Sequence, residues 1–150
     1  MKTSHHQLSA LIAQTGRQWR QTVDRQLQPF GLTQATWLPL WHLARAAEPL
    51  RQKDLAALLQ VDGSALVRTL DTLEKQGLIL RKSGEDRRAK TLHLTREGQK
   101  VADQVGQVAN AVREQVLGPL DENDLDTTLR VLERLMASLK ALEQESPNEQ

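Results

Sequence analysis

The chain has 150 residues and a formal net charge of +1; 39% of its residues are hydrophobic, 26% are charged and none is cysteine. These values are typical of one globular domain with a buried core, and the lack of cysteine excludes disulfide and thiolate chemistry. No apolar run approaches the ~18 residues of a membrane span, and the stretch MKTSHHQLSALIAQ has no signal-peptide pattern, so we expect a cytoplasmic protein without a membrane partner.

Helical spacing of apolar side chains marks four segments in the first half of the chain: 8–28, 34–47, 52–59 and 64–76. Thr33 and Asp62 stand at N-cap positions before the second and fourth of these helices, and Gly77 follows the fourth as a C′ residue. Only a short turn separates the third helix from the fourth. Two helices in such close succession are typical of a helix-turn-helix.

Two short runs rich in strand-forming residues come next, LILRK and TLHLT, joined by SGEDRRAK at 83–90. Leu78 and Leu80 alternate in step with Leu92 and Leu94. This alternation predicts a half-buried hairpin with these leucines facing inward, and the Ser-Gly pair at the start of the joining segment supplies the bend.

Two longer helices complete the chain. Thr95 is placed to cap a helix that runs to about Leu117, and Asp121 is placed to cap a last helix that ends near residue 143. The predicted order is therefore α-α-α-α-β-β-α-α, a mainly α (α+β) fold. A short helix, a tight turn, a second helix and a hairpin in direct succession predict a winged helix-turn-helix, which is a DNA-binding fold.

Charge is distributed unevenly along this order. Residues 51–100 carry eleven Lys or Arg against seven Asp or Glu, whereas residues 121–150 carry three against eight. A basic middle section that contains the helix-turn-helix indicates an anionic partner, although charge also fluctuates by chance along any chain. We expect the partner to be double-stranded DNA.

The fourth helix has two different faces. Leu66, Leu70 and Leu73 fall on one stripe, which predicts the buried side. The opposite face is polar and cationic, and in a helix-turn-helix that face enters the major groove, where an arginine can pair with guanine. The predicted DNA-contacting residues of this helix are Ser64, Ala65, Arg68, Thr72 and Lys75. An ordinary amphipathic helix with a solvated outer face is the alternative.

The charged tip of the hairpin extends this predicted surface. Arg87 and Arg88 are placed to enter a minor groove, where narrow A·T-rich DNA concentrates negative potential. Asp86 does not favour phosphate binding, so its predicted role is to brace the tip by holding a guanidinium in one orientation. Lys82 and Lys90 flank the tip and suit contacts with the phosphate backbone. A merely solvated turn is the alternative.

The segment DRRAKTLHLT resembles the wing signature of the MarR family of regulators, with Asp86, Arg88, Leu94 and Thr95 at the matching positions. The stretch ALVRTLDTLEKQGLILR is similar to the recognition helix and first wing strand of the same family. RQWR and LTQATW, nearer the N-terminus, resemble its SlyA-like branch. The pair Ser64-Ala65 departs from that branch, which leaves the operator sequence open.

This resemblance implies a homodimer in which the first and last helices of the two chains interlock. A single domain would cover 1–150, with the DNA-binding lobe at 33–96 and the helical dimerisation region at 8–30 and 97–143. The wide apolar face of the last helix independently favours a partner, with packing inside one chain as the alternative. The predicted dimer residues are Leu8, Ile12, Leu125, Leu129, Leu132, Met136 and Leu139. Two recognition helices about 34 Å apart would match a pseudo-palindromic site.

The resemblance also implies a small-molecule effector, because members of the family respond to aromatic or phenolic anions. It places such a ligand among Arg17, Trp37 and Arg68, with His42 nearby. A cation can bind the carboxylate of the ligand, and an indole face can pack on its ring. The alternatives are that Trp37 belongs to the core and that Arg17 pairs with an acid across the dimer.

Two other classes of function have weaker support. An enzyme is disfavoured because the chain has no Cys or Tyr, no glycine-rich phosphate loop and no Ser-His-Asp grouping suggested by order. A metal-responsive regulator would need three or four converging ligands, and His5, His6, His42 and His93 have no such spacing beyond the adjacent pair. We therefore predict no catalytic residue, no metal site and no cofactor.

Overall fold

The fold is given by a computed structural model, which describes residues 2–83 and 90–145. Within these ranges the chain forms six α-helices and three strands, with a 3-10 turn at Gln28–Phe30. The elements in chain order are α1 (Lys2–Leu27), α2 (Gln34–Arg45), β1 (Leu50–Arg51), α3 (Gln52–Leu59), α4 (Gly63–Lys75), β2 (Ile79–Ser83), β3 (Lys90–Leu94), α5 (Arg96–Leu117) and α6 (Glu122–Glu145). The predicted mainly α winged helix-turn-helix is confirmed, with one strand added.

The chain divides into two compact units, of which the first ends at Val112 and the second begins at Arg113. The first unit holds the sheet, the helices α1 to α4 and most of α5. The second unit holds the end of α5 and the whole of α6. Over the residues described, none of the helices is long and apolar enough to cross a membrane.

The added strand, β1, completes a three-stranded antiparallel sheet with the order β1-β3-β2. Leu50 pairs with Leu92 and Arg51 pairs with Thr91, so β1 covers the edge of β3 that the hairpin leaves open. A strand of two residues has no measurable alternation, and for that reason the sequence pattern did not predict it.

In the hairpin, the alternation of inward and outward side chains along β2 is shifted by one residue from the prediction. Ile79 pairs with Leu94 and Arg81 pairs with Leu92, so these residues share a face of the sheet. Ile79 is fully buried, whereas Leu80 is 48% exposed. The prediction that Leu80 faces inward is wrong, and the same prediction for Leu92 is confirmed.

The shift in phase follows from the way in which α4 ends. Gly77 has a φ of 75°, as the predicted C′ residue requires. The N–H of Leu78 donates to the carbonyl of Leu73 at 3.0 Å, and the N–H of Gly77 donates to that of Glu74 at 3.0 Å. Leu78 is therefore part of the helix closure, and the strand with its alternation begins at Ile79.

Two clusters of buried side chains form the core of the first unit. One lies beneath the helix-turn-helix and the sheet and consists of Leu40, Leu55, Leu66, Leu70, Leu73, Ile79, Leu92 and Ala102. The other joins α1, α2 and α5 and consists of Val23, Leu27, Trp37, Val105 and Val112. The predicted inward stripe of leucines on α4 is confirmed, and each leucine contributes about 1.5–3 kcal/mol by burial.

The predicted N-cap positions precede their helices, but only two of them carry a side-chain cap. Thr95 Oγ1 accepts a hydrogen bond from the N–H of Gly98 at 3.0 Å. Asp121 Oδ1 accepts from two N–H groups in the first turn of α6, at 2.8 and 3.3 Å. Thr33 and Asp62, in contrast, form no side-chain cap with the described first turns of α2 and α4.

Candidate nucleic-acid interface

A tight turn joins α3 to α4. Gln60 adopts a left-handed backbone conformation with a φ of 54°. Its N–H donates to the carbonyl of Ala57 at 3.3 Å, and the N–H of Val61 donates to that of Ala56 at 3.2 Å, which satisfies carbonyls at the end of α3. Asp62 is then the N-cap of α4. The chain thus passes from α3 into α4 by the short turn of a helix-turn-helix.

The outer face of α4 is open to solvent. All five predicted DNA-contacting residues of this helix are exposed: Ser64, Ala65, Arg68, Thr72 and Lys75. Thr72 Oγ1 donates to the carbonyl of Arg68 at 3.1 Å, so the hydroxyl oxygen keeps only its capacity to accept. The helix has 13 residues and is about 20 Å long, a length that fits a major groove.

At the N-terminal end of this face, Ser64 Oγ donates a hydrogen bond to Asp62 Oδ2 at 2.7 Å. Both side chains are exposed. The carboxylate of Asp62 therefore bonds to a side chain two residues on, in place of the backbone N–H groups that an N-cap residue usually bonds. The bond fixes the orientation of the Ser64 hydroxyl at the point where a recognition helix contacts bases.

Arg81 on β2 holds two acidic side chains of α4. Its Nη2 lies 2.6 Å from Asp71 Oδ1, and its Nε lies 3.2 Å from Glu74 Oε2. The first contact is a hydrogen bond, whereas the Nε of Arg81 meets no acceptor with hydrogen-bond geometry among the described residues, so the second is an ion pair alone. The side chain of Arg81 is 19% exposed. This cluster couples the first strand of the wing to the recognition helix.

The sequence prediction did not include the Arg81 cluster. The sequence does contain the pattern that predicts such a cluster. Asp71 and Glu74 are three residues apart on α4, and Arg81 follows four residues after Gly77, where the helix ends. Recognising it required the register of β2, which the prediction placed one residue out of phase. Arg81 lies on the same face of the sheet as the buried Leu92, and from this face its guanidinium contacts Asp71 and Glu74 of α4.

Lys82 and Lys90 lie at the base of the wing, and their contact with the phosphate backbone stays a prediction. Lys82 pairs with Thr91 and Ser83 pairs with Lys90 in the hairpin, and both lysines are exposed. Asp86, Arg87 and Arg88 lie outside the described residues, so their roles at the wing tip stay predictions.

Thr95 connects the end of α4 to the start of α5. Its Oγ1 donates to the carbonyl of Gly77 at 2.6 Å and also accepts from the N–H of Gly98. Its own N–H donates to the carbonyl of Leu78 at 3.1 Å. A Cβ on Gly98 would overlap the carbonyl oxygen of Leu78, so only glycine allows this close approach. The recognition helix and α5 are therefore joined at one compact junction.

Trp37, one of the four residues predicted to hold a ligand, is in the core. It is 4% exposed and packs with Val23 and Leu27. Its Nε1 donates to Asp24 Oδ1 at 2.9 Å, so the indole N–H already has a partner. The structure thus fits the alternative considered from the sequence, in which Trp37 is a core residue, and its contact with a ligand stays a prediction.

Two adjoining cavities lie beside α1 and α2. The first has a volume of about 360 Å³ and is lined mainly by apolar residues of α2, the end of α3, the α3–α4 turn and α4, among them Leu38, Leu59 and Ala65. The second has a volume of about 410 Å³ and lies along α1, where Arg17 is part of its lining. Arg20 lines both cavities. Trp37, His42 and Arg68 line neither of these two, and the prediction from sequence did not include Arg20.

His42 lies on α2, within electrostatic reach of Arg20 and Arg45. Burial lowers the pKa of His42 below its usual value, and the charges of Arg20 and Arg45 lower it further. Arg45 is itself stacked over the ring of Trp41, 4.8 Å from the centroid. Burial and the two arginine charges together favour a neutral imidazole at His42.

Apolar side chains predicted to form a dimer are exposed in the single chain. On α1, Leu8 and Ile12 are exposed. On α6, four of the five predicted residues are exposed, Leu129, Leu132, Met136 and Leu139, and Leu125 is partly buried. No residue of α6 is buried in the described structure. No group of three or more potential metal ligands occurs among the described residues.

A helix-turn-helix whose second helix runs into a β-hairpin defines a winged-helix DNA-binding protein. A sequence profile of the MarR family matches residues 30–89, which contain α2 to β2 and the segment after it. The matched segment thus coincides with the helix-turn-helix and the first strand of the wing.

Solved structures of similar proteins include a transcriptional regulator, a complex with DNA and a complex with a small molecule. The crystal structure of transcriptional regulator PA3341 is 41% identical, with a TM-score of 0.83, and the match covers 89% of this chain and 98% of that one. The MepR–DNA complex from S. aureus is 26% identical, with a TM-score of 0.73 and coverage of 87% and 96%. CouR from Rhodococcus jostii RHA1, bound to p-coumaroyl-CoA, is 25% identical, with a TM-score of 0.73 and coverage of 85% and 90%. The chain belongs to the MarR family and is a DNA-binding transcriptional regulator.

Proposed function

We propose that the protein acts in the cytoplasm as a homodimer that binds a pseudo-palindromic operator and is released from it by a small aromatic or phenolic anion. The observation that carries the proposal is the exposed polar face of α4 with Arg68 and Lys75, which is fixed at both ends by the α3–α4 turn and the Thr95 junction. Each α4 would enter a major groove, and each wing, with Arg87 and Arg88, would reach a flanking minor groove. MepR, 26% identical, was crystallised with DNA.

The dimer is supported by the apolar face of α6. At 100° per residue, the five predicted dimer residues of this helix fall within an arc of about 80°. Leaving such a stripe in water would be costly, because each exposed leucine forgoes about 1.5–3 kcal/mol of burial. We assign this stripe and the exposed apolar residues of α1 to a dimerisation region at 8–30 and 97–143, with the DNA-binding lobe at 33–96, inside one MarR-like domain spanning 1–150.

The dimer is tested by sedimentation at micromolar concentration. Leu139→Glu adds a charge to the apolar stripe of α6 and is expected to yield monomers and weaken DNA binding. Ala141→Glu is the matched control, because Ala141 is also exposed and lies on the opposite side of the same helix. A wild-type protein that sediments as a monomer would contradict the proposed assembly.

The effector proposal is supported by the cavity beside α2. Its volume of about 360 Å³ lies within the range of small-molecule sites, ~300–1,000 Å³, and its lining is mainly apolar with Arg20 at one side. An aromatic ring suits the apolar wall and a carboxylate suits Arg20. Arg17 lies in the adjoining cavity on the same face of α1, where it can bind a further anionic group. CouR, 25% identical, binds p-coumaroyl-CoA, which carries a phenolic ring.

An occupant of this cavity would contact the recognition helix directly. Ala65, Leu66 and Thr69 of α4 all contribute to its lining. A ligand that binds more tightly when α4 is displaced would shift the protein toward the displaced state. Because ligand binding and DNA binding would then favour different states, the ligand would lower the affinity for DNA. RQWR, which contributes Arg17 and Arg20, and LTQATW both resemble the SlyA-like branch, to which we assign the protein.

A gel-shift assay with DNA from upstream of the protein's own gene tests this function. We expect a specific shift that aromatic carboxylates or phenols reduce. Arg20→Gln should raise the ligand concentration needed by about tenfold or more, because a charge-assisted hydrogen bond is lost. Arg25→Gln is the control, since Arg25 is on the same helix but lines neither cavity. Release by a metal chelator and not by aromatic acids would contradict the effector class.

A further inference from the structure

The hydrogen bond between Ser64 and Asp62 has a consequence for base recognition. Ser64 Oγ and Asp62 Oδ2 are 2.7 Å apart, at the N-terminal end of the exposed face of α4. A carboxylate has no hydrogen to donate, so the hydroxyl hydrogen of Ser64 lies between the two oxygens. The oxygen of Ser64 keeps two lone pairs, and these are the only hydrogen-bonding capacity that it can offer to a base.

A serine hydroxyl without a constraint does not discriminate strongly, because it can donate to a base or accept from one. In the major groove, the exocyclic amino groups of adenine and cytosine are donors, whereas guanine and thymine present only acceptors. A Ser64 that is restricted to accepting would therefore bond to an amino group and be repelled by a carbonyl oxygen.

We propose that Asp62 sets the base specificity of Ser64 by taking its only hydrogen, so that Ser64 selects adenine or cytosine at one position in each half-site. Asp62 acts here as a positioning residue and Ser64 as the contacting residue. The proposal rests on the proposed insertion of α4 into the major groove. The selection by Ser64 concerns one base pair in each half-site. Its hydrogen bond adds to the affinity for DNA that the basic residues supply.

The side chain of Asp62 is available for this role because it does not cap α4. Among the described residues, its carboxylate forms no hydrogen bond with a first-turn N–H, and α4 is held instead by its buried leucines and its glycine closure. Replacing Asp62 is therefore expected to leave the fold intact. Circular dichroism and thermal melting of each variant provide the check.

The experiment begins with selection of binding sites from randomised duplex DNA by the full-length protein at one fixed salt concentration. The same selection with Ser64→Ala identifies the position at which preference is lost. At that position, duplexes are then prepared with an adenine or cytosine analogue that lacks its exocyclic amino group. We expect the wild-type protein to lose about three- to tenfold in affinity for the analogue, as for one neutral hydrogen bond, and Ser64→Ala to lose nothing further.

Two variants of Asp62 separate its acceptor role from its charge. Asp62→Ala frees the hydroxyl hydrogen, so exchanging the two bases of that pair should cost this variant less affinity than it costs the wild type. Asp62→Asn keeps a carbonyl acceptor without the charge and should discriminate as the wild type does. A general rise in affinity from removing a negative charge would affect all sequences equally and leave the discrimination unchanged.

Several results would overturn the inference. The first is that Ser64→Ala selects the same sequences as the wild type. The second is that the wild type binds the analogue without the amino group as tightly as the normal base. The third is that Asp62→Ala discriminates between the two bases as strongly as the wild type. Each of these leaves sequence-specific DNA binding in place. Failure of the full-length protein to select any sequence would instead contradict the proposed function itself.

Discussion

Arg81 on β2 and Asp71 on α4 form a hydrogen-bonded ion pair of 2.6 Å, and Glu74 lies 3.2 Å from the same guanidinium. The pair joins the wing to the recognition helix. It also places one positive charge beside two carboxylates on a helix that is expected to approach phosphates. The side chain of Arg81 is 19% exposed, and those of Asp71 and Glu74 are 54% and 46% exposed, so without Arg81 both acids would carry an uncompensated charge at the surface of α4.

We expect Arg81→Gln to weaken DNA binding although Arg81 is not predicted to contact DNA. Uncompensated carboxylates at Asp71 and Glu74 would repel the backbone, and affinity should fall about three- to tenfold at moderate salt. The effect on the free energy of unfolding should be small, about 0–1 kcal/mol, because both acids are half-exposed and water screens the pair. Fluorescence anisotropy with a labelled duplex gives the affinity.

The control is the triple variant that also carries Asp71→Asn and Glu74→Gln. If repulsion causes the loss, removing both acids should restore most of the affinity. A triple variant as weak as Arg81→Gln alone would show that the loss has another cause, such as a displaced wing.

Gly98→Ala is expected to destabilise the fold by about 1–3 kcal/mol, the range for an overpacked core position. The added methyl group would overlap the carbonyl oxygen of Leu78, a backbone atom fixed by its bond from Thr95. Chemical denaturation measures the change. Gly106→Ala is the matched control on the same helix α5, since its Cβ would meet only Trp41, at 3.9 Å. Alanine should there be neutral or stabilise by up to about 1 kcal/mol.

His42 should make the free energy of unfolding depend on pH at values below 6.5, the usual pKa of histidine. Burial, followed by Arg20 and Arg45, lowers the pKa of His42 in the folded state below 6.5. Between that lowered pKa and 6.5 the unfolded chain binds the proton more readily, so this contribution to stability is lost as pH falls through the interval and is constant above it.

The measurement is the difference in stability between the wild type and His42→Gln as a function of pH. The comparison isolates His42 from the other titrating groups. A difference that is flat from pH 7 to pH 5 would contradict the assigned shift of the pKa.

Arg88→Ala tests the wing tip. If Arg88 enters a minor groove, we expect DNA affinity to fall by about 1–3 kcal/mol and the salt dependence of binding to become shallower. Titrations at several salt concentrations measure both quantities. Unchanged affinity at moderate salt would exclude Arg88 from the interface.

The order of the helices and strands could be predicted from the sequence because each of them is marked by local features, which depend little on long-range packing. The leucine stripe of α4, the glycine closure at Gly77 and the caps at Thr95 and Asp121 are all local, and the structure has each of them. The exposed polar face of α4 follows from the same periodicity.

Other features depend on tertiary contacts that periodicity does not encode. β1 exists because β3 has an open edge, and the phase of the hairpin depends on Leu78 taking part in the closure of α4. Trp37 has the residue type of a ligand-binding side chain, yet it is buried and bonded to Asp24. Arg20 was overlooked because a cavity between helices is formed only when those helices pack.

The central claim is that this protein reads DNA as a dimer through the exposed face of α4. Selection of sites from randomised DNA with the full-length protein, alongside Arg68→Ala, tests it most directly. We predict enriched inverted repeats with half-site centres about 10–10.5 base pairs apart. Arg68→Ala should lose the preference at one base pair per half-site as well as overall affinity. Enrichment without an inverted repeat, or a sequence profile that Arg68→Ala leaves unchanged, would contradict the claim.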